Sequence, residues 1–477
     1  MLLIDRSMRK FPIHLQILVA LVLAIIYGIV FPTSYRLTEK SFKQLTKLGV
    51  PAVQTDKLLI LKDQTYLSQE DFLNDLQDVL PEEILLKYQA RFIKAAYLNK
   101  PVKAVSWMGD IFLRALKMII IPLIFSSLIS GVTSIGKGSS LGRLGLKTIS
   151  YYILTSVMAI VTGLFLVNIL RPGVGADLNF SQQVEGLVES QRSLGETLIN
   201  IVPDNIFKAF QNNDMLSVIF FAILFGFFIT RIREDYRNAL IKAFNAIFEV
   251  MMKVTMFVII FTPLGIFGIV AKVVSDQDDL LHLVTRMGIY MLTVLLALSF
   301  HFVVTLPLIV RFLGKAKPYK HMSNMSPALL TAFSTASSGA TLPLTINAVE
   351  NNSGVSNKIS SFTLPLGATI NMDGTALYEC VAAMFIAQAY GVEMTVIQQF
   401  IIILTALLAS IGAAGIPMAG LVMITVVLTA VGLPLEGVGL ILTVDRILDM
   451  FRTATNVWSD SCGAVVIAKS EGEELLV

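Results

Sequence analysis

The chain consists largely of long apolar runs separated by short charged loops, and this pattern constrains its fold more than any other feature. The runs cover residues 13–32, 106–131, 146–170, 214–232, 241–274 and 284–311. A helix of about 20 apolar residues crosses the hydrocarbon core of a bilayer. Since 55% of the 477 residues are hydrophobic and only 15% are charged, the sequence is typical of an all-α polytopic membrane protein.

Lysine and arginine assign the loops to the two sides of the membrane. They precede the first run and follow the second, fourth and sixth runs, for example at Arg9, Lys137, Arg233 and Lys315. Cytoplasmic loops carry an excess of these residues, so the N-terminus is predicted to be cytoplasmic and six helices to cross in strict alternation. We expect the C-terminus on the same side.

The net charge argues against a nucleic-acid partner, and the cysteine content argues against a disulfide scaffold or a metal site. The net charge of +3 is spread over short loops, which argues against nucleic acid. Cys380 and Cys462 lie in apolar segments without metal-site spacing, so we expect both to be small buried packing residues.

Residues 34–104 interrupt the apolar pattern on the predicted outer side. They mix charges of both signs and include a helical-looking segment, residues 69–96. We interpret this stretch as an ordinary solvated insertion, with a partner-binding cap as the alternative, and assign it no chemistry.

A stripe of polar residues follows one face of the last apolar helix. Its members are Asp445, Asp449, Arg452, Asn456 and Asp460, and their steps of four, three, four and four keep them on one side of a helix. Charge at bilayer depth is costly and usually handles a charged ligand or ion. The alternative is an Asp449–Arg452 ion pair that only holds helices together.

Two runs of small residues lie between short apolar arms. Residues 334–341 lead into Pro343, and residues 410–416 lead into Pro417. The flanking arms have only about ten to fifteen residues, too few to span a bilayer alone. They predict two re-entrant helical hairpins whose tips meet in the interior, whereas close helix packing is the alternative.

Residues 367–375 lie between the hairpins and predict a broken helix. Gly367 and Gly374 permit the chain to unwind, and Asn371 and Asp373 add side-chain oxygens. Oxygen ligands with few full charges suit Na⁺. A simple glycine kink is the alternative.

Four segments together carry a resemblance to a known family. They are residues 336–343 (ASSGATLP), 371–375 (NMDGT), 414–417 (AGIP) and 449–460. The chain is identified by them as a member of the dicarboxylate/amino acid:cation symporters, the glutamate transporter family. The resemblance implies eight transmembrane helices plus two re-entrant hairpins, with inverted repeats, assembled as a homotrimer in which a transport domain slides past a fixed scaffold.

The resemblance, with the insertion at 34–104 as the main departure from it, divides the chain into four parts. The first transmembrane helix occupies 1–33, an extracytoplasmic insertion 34–104, helices two to six 105–320, and the transport core 321–477. The transport core then holds the first hairpin, the broken seventh helix, the second hairpin and the eighth helix.

The resemblance also implies the binding residues. Its substrate site falls on Ser337, Ser338, Thr375, Ile416, Gly420, Asp449, Arg452, Thr453 and Asn456. By that similarity Asp449 receives the amino group and Arg452 the side-chain carboxylate, which the guanidinium fork matches with two parallel hydrogen bonds.

Three sodium sites are implied in the same way. The first comprises Gly367, Asn371, Asn456 and Asp460; the second comprises Thr369 with carbonyls of Ser410, Ile411 and Ala413; the third comprises Tyr152, Thr155, Ser156, Asn371 and Asp373. Glu379 stands where sodium-only carriers have Gln and proton-coupled carriers have Glu. Because burial disfavours a charged carboxylate, we expect Glu379 to carry a proton. The alternative is a neutral Glu379 that only hydrogen-bonds between helices.

The sequence departs from the family pattern at a few positions. Acidic amino acid carriers often have another arginine where this chain has Ala336 or Met450, and Arg446 is the candidate replacement. Ala413 stands where some relatives have threonine, a change that a backbone ligand survives.

The expected function is import of L-glutamate or L-aspartate across the cell membrane, coupled to Na⁺ and H⁺, by a carrier that is not an enzyme and needs no cofactor. A neutral amino acid or C4-dicarboxylate carrier of the same fold is the alternative. Arg452 argues against the first and Asp449 against the second. A channel needs a continuous pore, whereas the two hairpins are predicted to close over a site from both sides. An intramembrane protease needs an aspartate pair or a serine with a base, but Ser337 and Ser338 have no Lys or His nearby and Asp373 lies in MDGT rather than GxGD.

Overall fold

The structure is a computed structural model that describes residues 13–135, 141–176, 199, 201–277, 280–412 and 419–477. These residues are mostly helical, with one small three-stranded sheet. They form two compact units. Of the described residues, unit 1 contains 13–113, 261–277 and 280–284, and unit 2 contains 114–135, 141–176, 199, 201–260, 285–412 and 419–477.

The first part of the chain contains α1 (Ile13–Val30), β1 (Ser34–Arg36), α2 (Glu39–Lys47), α3 (Ala52–Lys57), β2 (Thr65–Tyr66), α4 (Gln69–Val79), α5 (Glu82–Ala96), β3 (Tyr97–Leu98), α6 (Lys100–Ile135) and α7 (Leu141–Leu170). The middle part contains α8 (Ile206–Asn212), α9 (Met215–Ile229), α10 (Glu234–Ile260), α11 (Thr262–Ser275), α12 (Leu280–Phe300), a π-helical turn (His301–Thr305) and α13 (Leu306–Phe312). The last part contains α14 (Pro318–Thr335), α15 (Ser338–Asn347), α16 (Asn357–Ile370), α17 (Asp373–Ala389), α18 (Val396–Gly412), α19 (Ala419–Ala430) and α20 (Val438–Ser470).

Four segments of the described residues are long and apolar enough to cross a bilayer: Lys100–Thr133, Arg143–Leu170, Glu234–Ile260 and Leu281–Phe312. Shorter apolar helices cover Leu15–Val30, Met215–Ile229, Thr262–Ser275 and Val396–Ile411. The prediction of one span over 241–274 is wrong, because α10 ends at Ile260 and α11 starts at Thr262. Pro263 lies in the first turn of α11, where its ring is tolerated, and it prevents continuation of the preceding helix.

Residues 34–98 fold as a small module with its own core. Strand β1 pairs antiparallel with both β2 and β3, and the helices of the module bury Phe72, Leu76 and Phe92. The segment 69–96, predicted as one helical piece, is two helices, because Leu80 is extended and Pro81 follows it.

A polar cluster fixes the base of this module within unit 1. The Nδ2 of Asn99 donates to Ser275 Oγ at 2.5 Å and to Thr33 Oγ1 at 3.1 Å. The Thr33 hydroxyl in turn donates to Asp276 Oδ1 at 2.6 Å. These bonds join the chain at the ends of α1 and α11 with the residue before α6, so the module is anchored to those helices.

The core of unit 2 surrounds α17, in which nearly every residue is buried. Helices α7, α18, α19 and α20 all pack against it. Gly163 of α7 permits one of these contacts, since an added Cβ would lie 3.0 Å from a side-chain carbon of Val381. Cys380 and Cys462 are both free and buried, which confirms their expected packing role.

The first small-residue run joins two packed helices. Helix α14 ends at Thr335, Ala336 is left-handed (φ 50°), and the Ser337 side chain caps α15 by accepting from the Ala340 amide. The second run starts in the last turn of α18 and continues towards α19, and these two helices also pack together. Residues 413–418 at its tip lie outside the described residues.

Candidate functional site

The polar stripe lies on a single uninterrupted helix, α20, and is mostly buried. Arg452 is 1% exposed, and its Nη2 lies 2.8 Å from Asp449 Oδ1 and 3.2 Å from Asp445 Oδ1. The Asp449–Arg452 pair considered from the sequence is therefore present, with Asp445 as a second partner. Arg446 Nη1 lies 3.6 Å from Asp449 Oδ2 and is much more exposed.

The guanidinium of Arg452 is enclosed on two further sides. The ring of Tyr378 lies 3.9 Å from its Cζ, in the range of a cation–π contact. Gly420 lies so close that an added Cβ would overlap the guanidinium nitrogens. Among the residues that the structure describes, Nε and Nη1 of Arg452 have no hydrogen-bond partner.

The helix preceding the NMDGT segment is interrupted as predicted, but not at the glycines. Helix α16 ends at Ile370, Asn371 and Met372 are non-helical, and α17 begins at Asp373. Gly367 and Gly374 lie within helices, so they do not supply the unwinding. They permit close approach, since an added Cβ at Gly374 would lie 2.6 Å from the Arg452 carbonyl oxygen.

Asn456 connects α20 to the first turn of α17. Its Oδ1 accepts the Gly374 amide at 2.7 Å, and its Nδ2 donates to Thr375 Oγ1 at 3.2 Å. The amide group thereby satisfies a backbone donor that the helix start leaves unpaired. The predicted substrate residues Thr375, Arg452 and Asn456 thus lie together.

Asp460 and Asn371 form the next contact along the stripe. Asn371 Nδ2 donates to Asp460 Oδ1 at 2.9 Å and to Ser459 Oγ at 2.9 Å. An added Cβ at Gly367 would collide with Asp460 and lie 2.7 Å from the Tyr152 hydroxyl. Gly367, Asn371 and Asp460 of the first predicted sodium site are therefore brought together.

Asp373 is the centre of a second oxygen-rich cluster. Its Oδ1 accepts from Ser156 Oγ at 2.6 Å and from Thr155 Oγ1 at 3.3 Å. Thr155 Oγ1 also lies 3.4 Å from Asn371 Oδ1. Tyr152, by contrast, donates to the Thr363 carbonyl at 2.8 Å. Four of the five residues of the third predicted sodium site thus share one cluster.

The remaining predicted residues are not joined into a site by described contacts. Thr369 donates to the Leu366 carbonyl at 2.8 Å, and Ser410 donates to the Leu407 carbonyl at 2.9 Å. Thr453 is buried. Ile411 is the last residue but one of α18, which ends at Gly412. Ser338 starts α15, and Ala413 and Ile416 lie outside the described residues.

Glu379 lies one helical turn beyond Thr375 in α17 and is 0% exposed. Neither of its carboxylate oxygens has a hydrogen-bond partner within the described part of the chain. Burial without partners strongly disfavours a charged carboxylate.

Three contacting residues were missed by sequence reasoning. Tyr378 lies under Arg452, while Ser459 and His301 both bond Asp373 Oδ2, at 2.6 Å and 3.1 Å. Ser459 is the neighbour of a predicted residue, and His301 is a histidine inside an apolar run, a signal that could have been used.

A helical membrane fold with charged and amide side chains gathered at a broken helix defines a membrane transporter. The model of the Sodium:dicarboxylate symporter family matches residues 13–470, and the chain belongs to this family. This confirms the family indicated by the four sequence motifs.

Individual relatives agree with the family match. An excitatory amino acid transporter of Caenorhabditis elegans is 39% identical over 410 residues, covering 76% of this chain and 80% of the relative. The proton/glutamate-aspartate symporter of Escherichia coli (strain K12) is 35% identical over 416 residues, covering 84% and 94%. The proton/sodium-glutamate symport protein of Geobacillus stearothermophilus is 37% identical over 373 residues, covering 77% and 87%.

Proposed function

We propose that the protein is a secondary active symporter that imports L-glutamate or L-aspartate together with Na⁺ and H⁺. The observation that carries this proposal is Arg452, a buried cation paired with two carboxylates and adjacent to oxygen-rich clusters on the same helix. The names of the relatives support acidic amino acids as substrates.

The free nitrogens of Arg452 suggest how an acidic side chain binds. Its Nη2 forms ion pairs with Asp445 and Asp449, while Nε and Nη1 have no described hydrogen-bond partner. A substrate carboxylate can accept from those nitrogens without displacing both aspartates. Asp449 then receives the ammonium group of the same substrate.

These two charges also separate the proposed substrate from its alternatives. A neutral amino acid would leave the buried Arg452 donors unpaired, which is costly. A C4-dicarboxylate lacks the ammonium group and would place a carboxylate against Asp449. Both rivals therefore fit the site less well than an acidic amino acid.

We assign Na⁺ to the clusters around Asp460 and Asp373. Carboxylate, amide and hydroxyl oxygens are the ligands that hard cations prefer. Gly367, Asn371, Asn456 and Asp460 form one proposed site, and Tyr152, Thr155, Ser156, Asn371 and Asp373 form another. A third site at Thr369 and the carbonyls of Ser410, Ile411 and Ala413 remains part of the proposal.

Glu379 is the proposed proton carrier. Its buried carboxyl lies close to the substrate residue Thr375 and lacks a described partner, so the neutral form is favoured inside the protein. Protonation on one side of the membrane and release on the other would move a proton with each cycle.

The proposed architecture consists of eight transmembrane helices and two re-entrant hairpins. The first hairpin is formed by α14 and α15, and the second by α18 and α19. It is supported by the packing of both helix pairs and by the left-handed Ala336 at the first tip. The assembly is a homotrimer in the cell membrane with both termini cytoplasmic. Ser337, Ser338, Ile416, Gly420 and Thr453 complete the substrate site.

Uptake by purified protein in proteoliposomes tests the function. Radiolabelled aspartate uptake should saturate, be competed by glutamate but not by alanine or succinate, and disappear when external Na⁺ is replaced by K⁺. Uptake that persists in K⁺, or that succinate or alanine blocks as well as glutamate does, would contradict the proposal. Non-saturating flux would indicate a channel.

A further inference from the structure

His301 is a buried polar residue that the substrate and sodium sites do not include. It is 0% exposed and lies in the π-helical turn between α12 and α13. Its Nε2 lies 3.1 Å from Asp373 Oδ2. A carboxylate has no hydrogen to give, so the imidazole is the donor in this bond.

The two oxygens of Asp373 have different kinds of partner. Oδ1 accepts from Thr155 and Ser156 on α7, whereas Oδ2 accepts from Ser459 on α20 and from His301. A hydroxyl can rotate and offer a lone pair to a cation, but an imidazole N–H can only donate. The His301 bond therefore cannot be exchanged for ion coordination.

We propose that His301 is a positioning residue that fixes Asp373 Oδ2, so that Oδ1 stays turned towards Thr155 and Ser156, the ion-binding side. The inference rests on the sodium site proposed at Asp373. When Na⁺ enters, the α7 hydroxyls turn their lone pairs to the ion, while His301 and Ser459 hold the opposite side of the carboxylate.

The π-helical turn that carries His301 is bonded to α20, the helix that carries Ser459. A π turn frees a backbone carbonyl, and Trp458 Nε1 donates to the Phe302 carbonyl at 3.0 Å. The rings of Phe302 and Trp458 lie 5.7 Å apart. Trp458 precedes Ser459 on α20, so the same helix turn holds both the His301 segment and Asp373 Oδ2.

A pair of buried histidines gives a matched test. His321 is also 0% exposed, and its Nδ1 lies 2.8 Å from Ser353 Oγ. Its ring packs on Trp458 with the centroids 5.1 Å apart, but it has no described contact with Asp373, so it controls for packing around Trp458 without the carboxylate bond. The purified His301→Leu and His321→Leu variants are titrated with Na⁺, with choline as the balancing cation and without amino acid. The measured quantity is the rise in melting temperature that Na⁺ produces. Na⁺-dependent uptake would be measured in parallel.

We expect His301→Leu to raise the half-saturating Na⁺ concentration about tenfold or more, the size seen when groups behind metal ligands are removed. His321→Leu should leave it unchanged. His301→Gln, whose amide can reach the Nε2 position, should restore it. If leucine prevents folding, His301→Asn, which is too short to reach Asp373, replaces it.

Two results would overturn the inference in distinguishable ways. If Asp373→Asn weakens the Na⁺ response but His301→Leu does not, or if His321→Leu weakens it equally, His301 has no positioning role and the sodium site stands. If neither Asp373→Asn nor His301→Leu alters the response, the sodium site itself is wrongly placed.

Discussion

Arg452 is held between two aspartates and an aromatic ring, yet retains nitrogens with no described partner. Arg452 therefore keeps donors that can bind an anion, while its carboxylate partners prevent it from being an isolated buried charge. Its carboxylate partners explain how one guanidinium can remain in an apolar span when no substrate is bound.

Replacing Arg452 tests its role in specificity. Arg452→Cys should cost acidic substrates about 2 to 5 kcal/mol of binding while sparing neutral amino acids, because it removes the group proposed to pair with the side-chain carboxylate. Competition of labelled aspartate uptake measures this loss. Arg446→Cys, at the more exposed arginine of the same helix, is the control and should lose much less. Normal aspartate uptake by Arg452→Cys would contradict the assignment.

Asp460 should act on the cation rather than on the amino acid. It bonds Asn371 and lies beyond Asn456 on the stripe, away from Arg452. Asp460→Asn is expected to raise the Na⁺ concentration for half-maximal uptake with little change in substrate ranking, because it removes a full negative charge from the ligand set. An unchanged Na⁺ dependence would show that Asp460 is structural.

Glu379 should couple uptake to protons. With the Na⁺ gradient held fixed, an inward pH gradient should stimulate wild-type uptake, and Glu379→Gln should abolish this stimulation because its amide cannot titrate. The mutant should still fold, since a glutamine of the same shape fits the same space. Stimulation that persists in Glu379→Gln, or that is absent in both proteins, would leave Glu379 a structural residue.

At the scale of elements, the residues that follow α20 connect the end of this helix to the starts of α7 and α16 within unit 2. Glu471 accepts from Arg143 Nη2 at 2.7 Å and from Lys147 Nζ at 2.5 Å, both near the start of α7. Glu473 accepts from the amide and hydroxyl of Ser356, the residue that precedes α16. Glu471 and Glu473 both follow α20, which ends at Ser470, and lie outside the four segments that are apolar enough to cross a bilayer.

The Glu471 contacts predict a pH dependence of stability. Hydrogen bonds from Lys147 and Arg143 lower the pKa of Glu471 below its ordinary value. A lowered folded-state pKa gives stability above the unfolded pKa that is lost as pH falls through the folded value. Glu471→Gln should therefore melt below wild type at neutral pH, and the two should converge in acid. Thermal unfolding in detergent measures both melting temperatures. A difference between them that stays constant at all pH values would contradict this prediction.

Sequence periodicity predicted some elements well and others poorly. The stripe on α20 was visible because a helix fixes which residues share a face. The break before Asp373 was predicted, but its position and the role of Gly367 and Gly374 depend on side chains from α20, which are distant in sequence. The His301–Asp373 contact joins residues 72 positions apart, and no local pattern specifies such a pair.

At the scale of the whole molecule, the module of residues 34–98 is an insertion whose two ends pair with each other. Strand pairing places Ser34 opposite Leu98, so the chain enters and leaves the module side by side. Its core residues form a cluster of their own. The sequence predicted an insertion here but not its fold, because short strands and amphipathic helices carry weak periodic signals.

Deleting the module should therefore leave transport intact. Replacing residues 36–96 by a short Gly/Ser turn keeps Thr33 and Asn99 of the anchoring cluster, and a turn of a few residues can close an antiparallel pair. We expect the variant to take up aspartate with the same Na⁺ dependence as wild type, when the uptake rate is normalised to the amount of protein in the liposomes. Loss of uptake by correctly inserted protein would show that the module takes part in transport.

Thiol-reactive dyes modify only accessible thiolates, and Cys380 and Cys462 are both fully buried. A cysteine introduced at the exposed Val53 of the module would therefore be labelled selectively in otherwise native protein. Paired with a second dye on unit 2, this label would report the distance between the two dyes by single-molecule energy transfer, so that any change in that distance during one transport cycle could be followed directly.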